Sequence, residues 1–378
     1  MPLSLIYGDK GIFYFPHRGN AMENSPISHP RKRVVYLDFL RIPAALCIIL
    51  LHVSAQNWDN VSVYSNAWLL FNAANSASRW AVPVFLMISG ALLLNPDTPS
   101  DTARLWRGPV CRMLRVFFIW STVYSLDALS RGAGLESAVS TLIQGKYHMW
   151  YLPTLAGLYM VTPLIRRITE SRQLTRYFLM LTGAFAVLIP SAIGYLRCVD
   201  IPVLSRYLPA MDEFFSRFHY GFGGIYLFYF VLGHYLARYG FPVVSPSGSG
   251  LMAAGGYAAT VVLNLFWSRK TGGPDTVFLT LDSANVLCMS MGIFLLARNC
   301  LNRLPPWAER LVSALSPCTF GIYLIHPLVL ERLEMLGVHT LAISPVLSVP
   351  GITILTGILS GLLTALLIRI PFAKKYLL

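Results

Sequence analysis

The chain has few charged residues for its length: only 12% of its 378 residues are Asp, Glu, Lys or Arg, whereas 55% are hydrophobic. A soluble globular protein normally has about a quarter of its residues charged. The apolar residues also fall in windows of about 20, the length at which a helix crosses a bilayer core about 30 Å thick. The composition therefore excludes an ordinary soluble protein and indicates one integral membrane domain.

Acidic residues are the scarcer charge, with 17 Asp and Glu against 30 Lys and Arg and a net charge of +13. No zinc finger, recognition helix or base-stacking motif accompanies the basic excess, so nucleic acid is not an expected partner. The six cysteines lie far apart and form no CxxC pair, which supports neither a disulfide framework nor a zinc site. We therefore expect no bound metal.

Apolar runs bounded by charges or by Pro and Gly clusters predict an all-α, polytopic integral membrane protein with about ten transmembrane helices. The predicted spans cover roughly residues 34–56, 67–94, 110–130, 148–165, 177–196, 218–238, 250–267, 276–297, 310–336 and 347–369.

Basic residues are divided unequally between the two sides of this predicted bundle. With the N-terminus in the cytoplasm, the inner segments hold 20 of the 30 Lys and Arg, the outer segments hold eight, and Arg41 and Arg79 lie inside spans. The positive-inside rule then places both termini in the cytoplasm. The same basic face would attract anionic lipid or an anionic cytoplasmic substrate.

Residues 1–33 lack an apolar run, which excludes a secretory signal peptide, and we interpret them as a polar cytoplasmic leader. Met22 is an alternative start, and we expect a chain that begins there to insert and function like the full chain. The membrane domain is expected to cover residues 34–370, followed by a cytoplasmic tail at residues 371–378.

The first span, VVYLDFLRIPAALCIILLHVSA, carries Asp38, Arg41 and His52. At 100° per residue, His52 lies only about 20° past three full turns from Arg41, and a rise of 1.5 Å per residue separates the two by about 16 Å. All three side chains therefore share one face. Each ionisable group inside a span costs about 2.5–3.5 kcal/mol on insertion scales, so these residues are candidates for function.

Structural roles are the alternative for this face. Arg41 could extend its charge to the inner interface, and His52 could be a hydrogen-bonded packing residue. The shared face and the ion pair expected between Asp38 and Arg41 favour function, because a packing histidine has no reason to align with a distant ion pair.

The second span, NAANSASRWAVPVFLMISG, places Arg79 near the middle of an apolar helix, where it needs a buried partner or an anionic ligand. Asn72, Asn75 and Ser76 form a polar stripe with Arg79 along this helix. Their side chains could equally hold two helices together by hydrogen bonds. Pro83 is expected to kink this helix.

Three further groups have both structural and functional interpretations. Arg112 and Arg115 could be cytoplasmic orientation anchors or a phosphate clamp. His148 stands among aromatic residues typical of an interface belt. His326, one turn after Tyr323, lies in the middle of a predicted span. It is away from both membrane interfaces, so an interface belt does not explain it.

These motifs, taken in order, resemble those of the acyltransferase-3 family of bacterial membrane O-acyltransferases. LDFLRIPAALCIILLH is similar to the opening motif of the family, and NSASRWAVPVFLMISG to its second-span motif. Arg112 and Arg115 match a cytoplasmic RxxR. HMWYLPTLAGLYMVTPL and TFGIYLIHP resemble the fourth-span and late-span motifs. The likeness covers residues from about 34 to 370 and is strongest to short members, such as the O-acetyltransferases of enterobacterial common antigen.

The resemblance implies site residues. These are His52, Arg41, Arg79 and Asp38 in catalysis, Arg112 and Arg115 for the donor, and Trp150, Tyr159, Tyr323 and His326 for substrate. Two features depart from the longer members. An acidic residue in their fourth-span motif is replaced by Ala156 and Gly157, and no esterase-like domain follows the last span, so acyl delivery would depend on this domain or on a partner.

The resemblance further implies a multi-pass protein of the bacterial inner membrane that transfers an acyl group, most often acetyl, from cytoplasmic acyl-coenzyme A to a hydroxyl of a surface or lipid-linked glycan. Polysaccharide-assembly proteins are possible partners. A sugar hydroxyl needs a base, and histidine changes protonation nearest to neutral pH, which favours His52. Arg79 would either stabilise the oxyanion or orient the sugar.

A transporter of free or lipid-linked sugar is the alternative function, because buried arginines and histidines also line transport paths. A third interpretation, a structural scaffold, explains aligned buried charges least well.

Overall fold

The computed structural model describes residues 34–97, 101–199, 201–218, 224–301 and 304–378. It also describes two short segments, β1 (Leu3–Leu5) and β2 (Tyr14–Pro16), which pair antiparallel. The alternative start at Met22 and the end of the predicted leader lie outside the described residues.

Every other regular element is a helix within this described part. The helices are α1 (Val35–Ala55), α2 (Asn66–Ser78), α3 (Ala81–Leu93), α4 (Thr102–Leu105), α5 (Cys111–Ser130), α6 (Leu135–Gln144), α7 (Tyr151–Thr169), α8 (Arg172–Gly183), α9 (Ile189–Val199), α10 (Pro202–Ser216), α11 (Gly224–Tyr239), α12 (Pro246–Thr271), α13 (Ala284–Cys300), α14 (Pro306–Leu315), α15 (Thr319–Met335), α16 (Pro345–Arg369) and α17 (Pro371–Tyr376). Wider π-type turns, Trp106–Val110 and Ala184–Leu188, connect α4 to α5 and α8 to α9.

Helices overlie all ten predicted spans. Seven helical segments are long and apolar enough to cross a membrane: Val35–Ala55, Asn66–Leu93, Arg172–Val199, Pro246–Thr271, Val277–Cys300, Pro306–Met335 and Pro345–Arg369. Three helices over predicted spans, α5, α7 and α11, are not among them; α11 has only 16 residues. The all-α membrane architecture is therefore confirmed, while the count of about ten and the side of each terminus remain predictions.

Local sequence signals account for several helix boundaries. The Ser65 hydroxyl accepts a hydrogen bond from the backbone N–H of Trp68 at 3.1 Å and caps α2. Ser245 caps α12 in the same way, and Pro246 follows at the first helical position, where its missing N–H costs nothing. At the other end, α12 stops at Gly272, whose φ of +77° suits glycine.

Glycines set the closest helix contacts in the bundle. A Cβ at Gly233 of α11 would lie 2.0 Å from the backbone oxygen of Met87 in α3, and one at Gly90 would lie 1.7 Å from that of Phe230. A second glycine pair joins α12 to α13, where a Cβ at Gly256 would lie 2.5 Å from the Met289 nitrogen. Small residues allow such backbone contact in membrane helices, and here they bring the backbones of α3 and α11 together.

The second predicted span is interrupted one turn before Pro83. The chain turns at Arg79 and Trp80, between α2 and α3. Pro83 has no N–H to donate to the Arg79 carbonyl oxygen four residues earlier, and this missing hydrogen bond accounts for the position of the break. The break leaves Arg79 at the C-terminal end of α2, facing the interior.

Candidate active site

A cavity of about 230 Å³ lies beside α1, between α3, α5, α7 and α15. Its wall is mostly apolar, as in many small-molecule sites. Six residues predicted from sequence line it: Arg41, His52, Arg79, Trp150, Tyr159 and Tyr323. The fold therefore gathers into one space side chains from the first span, the second span, the fourth-span motif and the late-span motif.

Arg41 marks one end of the cavity. Its guanidinium forms an ion pair with Asp38 one turn earlier, and both residues are buried. The Ser316 hydroxyl donates a second hydrogen bond to the Asp38 carboxylate at 3.1 Å. Asp38 thus neutralises Arg41 and fixes its direction without itself lining the cavity, which makes it a positioning residue.

His52 lies at the other end of α1, about 16 Å from Arg41 by helical rise. Its ring stacks on that of His326, with centroids 5.3 Å apart and planes 24° apart. The Tyr147 ring lies 4.9 Å away. Contact with these two rings holds His52 at the cavity wall, and its ring nitrogens form no hydrogen bond with the described residues.

His326 stands behind His52 and is fully buried. Its Nδ1 lies 2.8 Å from the Tyr323 carbonyl oxygen and 3.1 Å from that of Ile322. Because a carbonyl oxygen can only accept, Nδ1 carries a proton, and the neutral ring presents the lone pair of Nε2. That Nε2 is buried and has no hydrogen-bond partner among the described residues.

His148 belongs to this cluster, although the sequence placed it in an interface belt. Its side chain is buried, lines the cavity, and has ring centroids of His326 and Tyr323 each at 5.3 Å. The Tyr323 hydroxyl donates to the His148 backbone oxygen at 2.6 Å and so ties α15 to the start of α7. A histidine among Tyr147, Trp150 and Tyr151 has the sequence pattern of an interface belt, and only tertiary packing distinguishes a belt residue from a buried one.

Arg79 is oriented by a chain of hydrogen bonds. Its Nε donates to the Asn75 amide oxygen at 2.7 Å, and the Asn75 amide donates to the Ser54 hydroxyl at 3.1 Å. Ser54 lies two residues after His52 on α1. No carboxylate pairs with Arg79 in the described ranges, so its positive charge stays available to an anionic group in the cavity.

The residues of the polar stripe in the second span have different roles. Asn72 donates to the Val261 carbonyl oxygen at 3.0 Å and accepts from the Asn264 amide at 2.9 Å, both on α12. It is therefore a link between helices, the structural alternative considered above. Asn75 instead positions Arg79, while the Ser76 hydroxyl is buried without a hydrogen-bond partner among the described residues.

Arg112 and Arg115 lie outside the cavity wall. The Arg112 guanidinium stacks over Phe320, which does line the cavity, at 5.6 Å, and it donates to the Leu378 backbone oxygen. Arg115 contacts the same segment through the Tyr376 ring at 5.3 Å. The two arginines thus share one surface next to the Arg41 end of the cavity, where the α17 segment also packs.

Across the described ranges, no group of three or more metal-ligating side chains converges.

One comparison with known proteins gives a match. A family model described as an acyltransferase domain, of the acyltransferase-3 type, covers residues 34–365. No curated protein and no solved structure gives a significant match to the chain. The likeness to the short members that modify enterobacterial common antigen therefore stays a prediction.

Proposed function

The chain belongs to the acyltransferase-3 family, and on that premise we propose that it is an O-acyltransferase that transfers acetyl from cytoplasmic acetyl-coenzyme A to a hydroxyl of a surface or lipid-linked glycan. Its place would be the bacterial inner membrane, with polysaccharide-assembly proteins as partners. The observation that carries this proposal is the position of His52, which is held by two rings in a cavity that also contains Arg79.

His52 acts as the general base in this mechanism. It takes the proton of the acceptor hydroxyl while the hydroxyl oxygen bonds to the thioester carbonyl carbon, and the carbonyl electrons move onto oxygen. The tetrahedral intermediate then expels the coenzyme A thiolate, which receives the proton back from His52. The acyl group ends on the sugar, and no other reactant is consumed.

Arg79 supports the oxyanion of that intermediate. Its charge is not neutralised by a carboxylate in the described structure, and Asn75 fixes its direction before substrate arrives. Preorganised donors of this kind stabilise a transition state more than a ground state, because they need no rearrangement when charge develops. The Arg79 charge is therefore suited to stabilise the negative charge that develops on the reacting carbonyl oxygen.

Donor binding is assigned to the Arg41 end. In the predicted orientation this end faces the cytoplasm, so the thioester arm enters beside Arg41 while the nucleotide stays outside with its phosphates near Arg112 and Arg115. The arm needs to reach His52, about 16 Å along α1. The mostly apolar wall would exclude water and so limit hydrolysis of the thioester.

The direct test uses purified protein in lipid nanodiscs with radiolabelled acetyl-coenzyme A. An acyltransferase releases coenzyme A and transfers label to a glycan acceptor, whereas a sugar transporter leaves the thioester intact. His52→Ala should slow the reaction by about 10² to 10⁴-fold. His339→Ala changes a histidine outside the cavity and serves as the matched control. An intact thioester with the unmodified protein would contradict the proposal.

A further inference from the structure

A second cavity, of about 620 Å³, adjoins the first. It is bounded by the Ala184–Leu188 turn, by α10, by the start of α11 and by the segment before α13. Arg79 and Leu281 line both cavities and therefore form their common wall. In the predicted orientation the second cavity lies on the outer side of the membrane, so we refer to it as the outer vestibule.

An aromatic pair also connects the two spaces. Trp150 lines the first cavity, Tyr226 lines the outer vestibule, and their ring centroids are 5.5 Å apart. The two rings therefore lie at the boundary between the two spaces, to which Arg79 and Leu281 also belong. The volume of the vestibule falls within the range of about 300–1,000 Å³ that is usual for small-molecule sites.

The vestibule wall combines hydrogen-bond acceptors with flat apolar surfaces. Asp282 supplies a carboxylate, Thr280 and Ser216 supply hydroxyls, and Phe215 and Tyr226 supply rings. A sugar has a rim of hydroxyl donors and faces of C–H groups. Carboxylates accept from hydroxyls, and aromatic rings pack against apolar faces, so this wall matches a polyhydroxylated ligand.

Asp282 is the residue that most specifically indicates a ligand. It is half-buried, and its carboxylate forms no hydrogen bond or ion pair with the described residues, in a chain that has 30 basic residues. Its backbone is nevertheless held firmly, because the Ser191 hydroxyl donates to the Asp282 carbonyl oxygen at 2.9 Å. The neighbouring Leu281 carbonyl oxygen accepts from the Tyr229 hydroxyl at 2.8 Å. A carboxylate that is held in place by its backbone and has no partner among the described residues leaves its acceptor sites open to a ligand in the cavity.

We infer that the outer vestibule binds the acceptor as a sugar, with Asp282 accepting hydrogen bonds from its hydroxyls and Tyr226 packing against its C–H face. Arg79 then stands where the bound sugar meets the thioester carbonyl, and the reacting hydroxyl points through the common wall towards His52. This inference rests on the proposed acyl transfer. It adds which cavity the acceptor occupies and which residues select it.

The kinetic test uses the full chain in nanodiscs, radiolabelled acetyl-coenzyme A, and the methyl glycosides of glucose, galactose and N-acetylglucosamine as probes. Asp282→Asn keeps the shape of the side chain but removes its charge, and should raise the KM for the accepted glycoside at least tenfold. The KM for acetyl-coenzyme A should not change. Asp59→Asn alters an exposed carboxylate in the loop after α1 and should change neither value.

A binding measurement separates the two levels of the proposal. Saturation-transfer NMR should detect the glycoside on the inactive His52→Ala protein and lose the signal on the His52→Ala, Asp282→Asn double variant. Coenzyme A release without glycoside binding, or an unchanged glycoside KM in Asp282→Asn, overturns the acceptor site alone. Failure of the unmodified protein to cleave acetyl-coenzyme A overturns the proposed function, and the acceptor site with it.

Discussion

His52 and His326 stack with their ring centroids 5.3 Å apart, and only one of the two has its Nδ1 committed to backbone carbonyl oxygens. This asymmetry divides the roles within the pair. His326 is fixed in one tautomer and supports its neighbour, while His52 lines the cavity and its nitrogens form no hydrogen bond with the described part of the chain. A base that has to accept and return a proton benefits from a rigid partner that does not compete for the substrate.

His52→Ala should lower glycan acylation by about 10² to 10⁴-fold, the usual cost of a lost general base. His52→Gln should fail nearly as badly, because an amide forms hydrogen bonds but is not a useful base. Protein abundance and membrane insertion should stay normal, since the imidazole borders a cavity. The measurement is the acyl content of the glycan against the amount of protein; near-normal acylation in inserted His52→Ala protein would disprove the mechanism.

Arg79→Lys should reduce kcat for transfer by about 10² to 10³-fold, the range seen when one oxyanion donor is removed. Asn75→Ala should also reduce kcat, but by less, because the Arg79 guanidinium is still present and only the hydrogen bond that orients it is lost. Steady-state kinetics at saturating donor would measure both. Asn72→Ala, which breaks a link to α12, is the matched control and should affect stability rather than kcat. An equal kcat in Asn75→Ala would show that Arg79 needs no positioning.

The sequence predicted which residues form the site better than it predicted the contacts among their side chains. The spacing of Arg41 and His52 fixes a common face on any straight helix, and the structure places both on one cavity. The edge-to-face contact of His148 with His326 depends on how α15 packs against the start of α7, which no local pattern encodes. The break at Arg79 follows from Pro83, one turn later in the chain, which the sequence shows directly. Asp282 lies inside the predicted span 276–297 and, as an ionisable group there, carried a signal that the sequence analysis did not use. Its place in the outer vestibule could not be predicted, since that cavity is assembled from separate segments.

Arg112→Ala should raise the KM for acetyl-coenzyme A about tenfold, equivalent to about 1.4 kcal/mol, while kcat at saturating donor stays close to normal. The reason is that its charge would hold a phosphate of the nucleotide. Donor titrations with the purified protein provide the values. If the guanidinium serves only to fasten the Leu378 segment, the variant would instead lose abundance or melt earlier with an unchanged KM.

The predicted orientation leaves one cysteine of the six on the outer side. A membrane-impermeant thiol reagent added to intact cells should therefore label Cys198, and Cys198→Ser should abolish that labelling. Cys111 and Cys300 are exposed in the structure, so they should react only after permeabilisation. Mass spectrometry of the labelled protein identifies the sites. Modification of Cys111 in intact cells would reverse the orientation and move the donor to the wrong side.

Adjacent glycines in α12 offer a matched test of the helix packing. A methyl group at Gly256 would meet the backbone of α13 at 2.5 Å, whereas one at Gly255 would meet nothing within 4 Å. Gly256→Ala should therefore destabilise the fold by about 1–3 kcal/mol, the usual cost of overpacking. Gly255→Ala should not. Thermal denaturation in detergent compares them, and equal melting temperatures would show that α12 and α13 can separate at little cost.

The contact between α3 and α11 has a consequence for which acyl groups fit. Val82, Phe85 and Ser89 of α3 form one wall of the cavity, and the glycine contact behind that helix leaves it no room to withdraw. We therefore expect α3 to keep its place in the wall when an acyl group binds. If the chain transfers acetyl as proposed, the side chains of this wall, rather than a movement of α3, would limit the length of the acyl group.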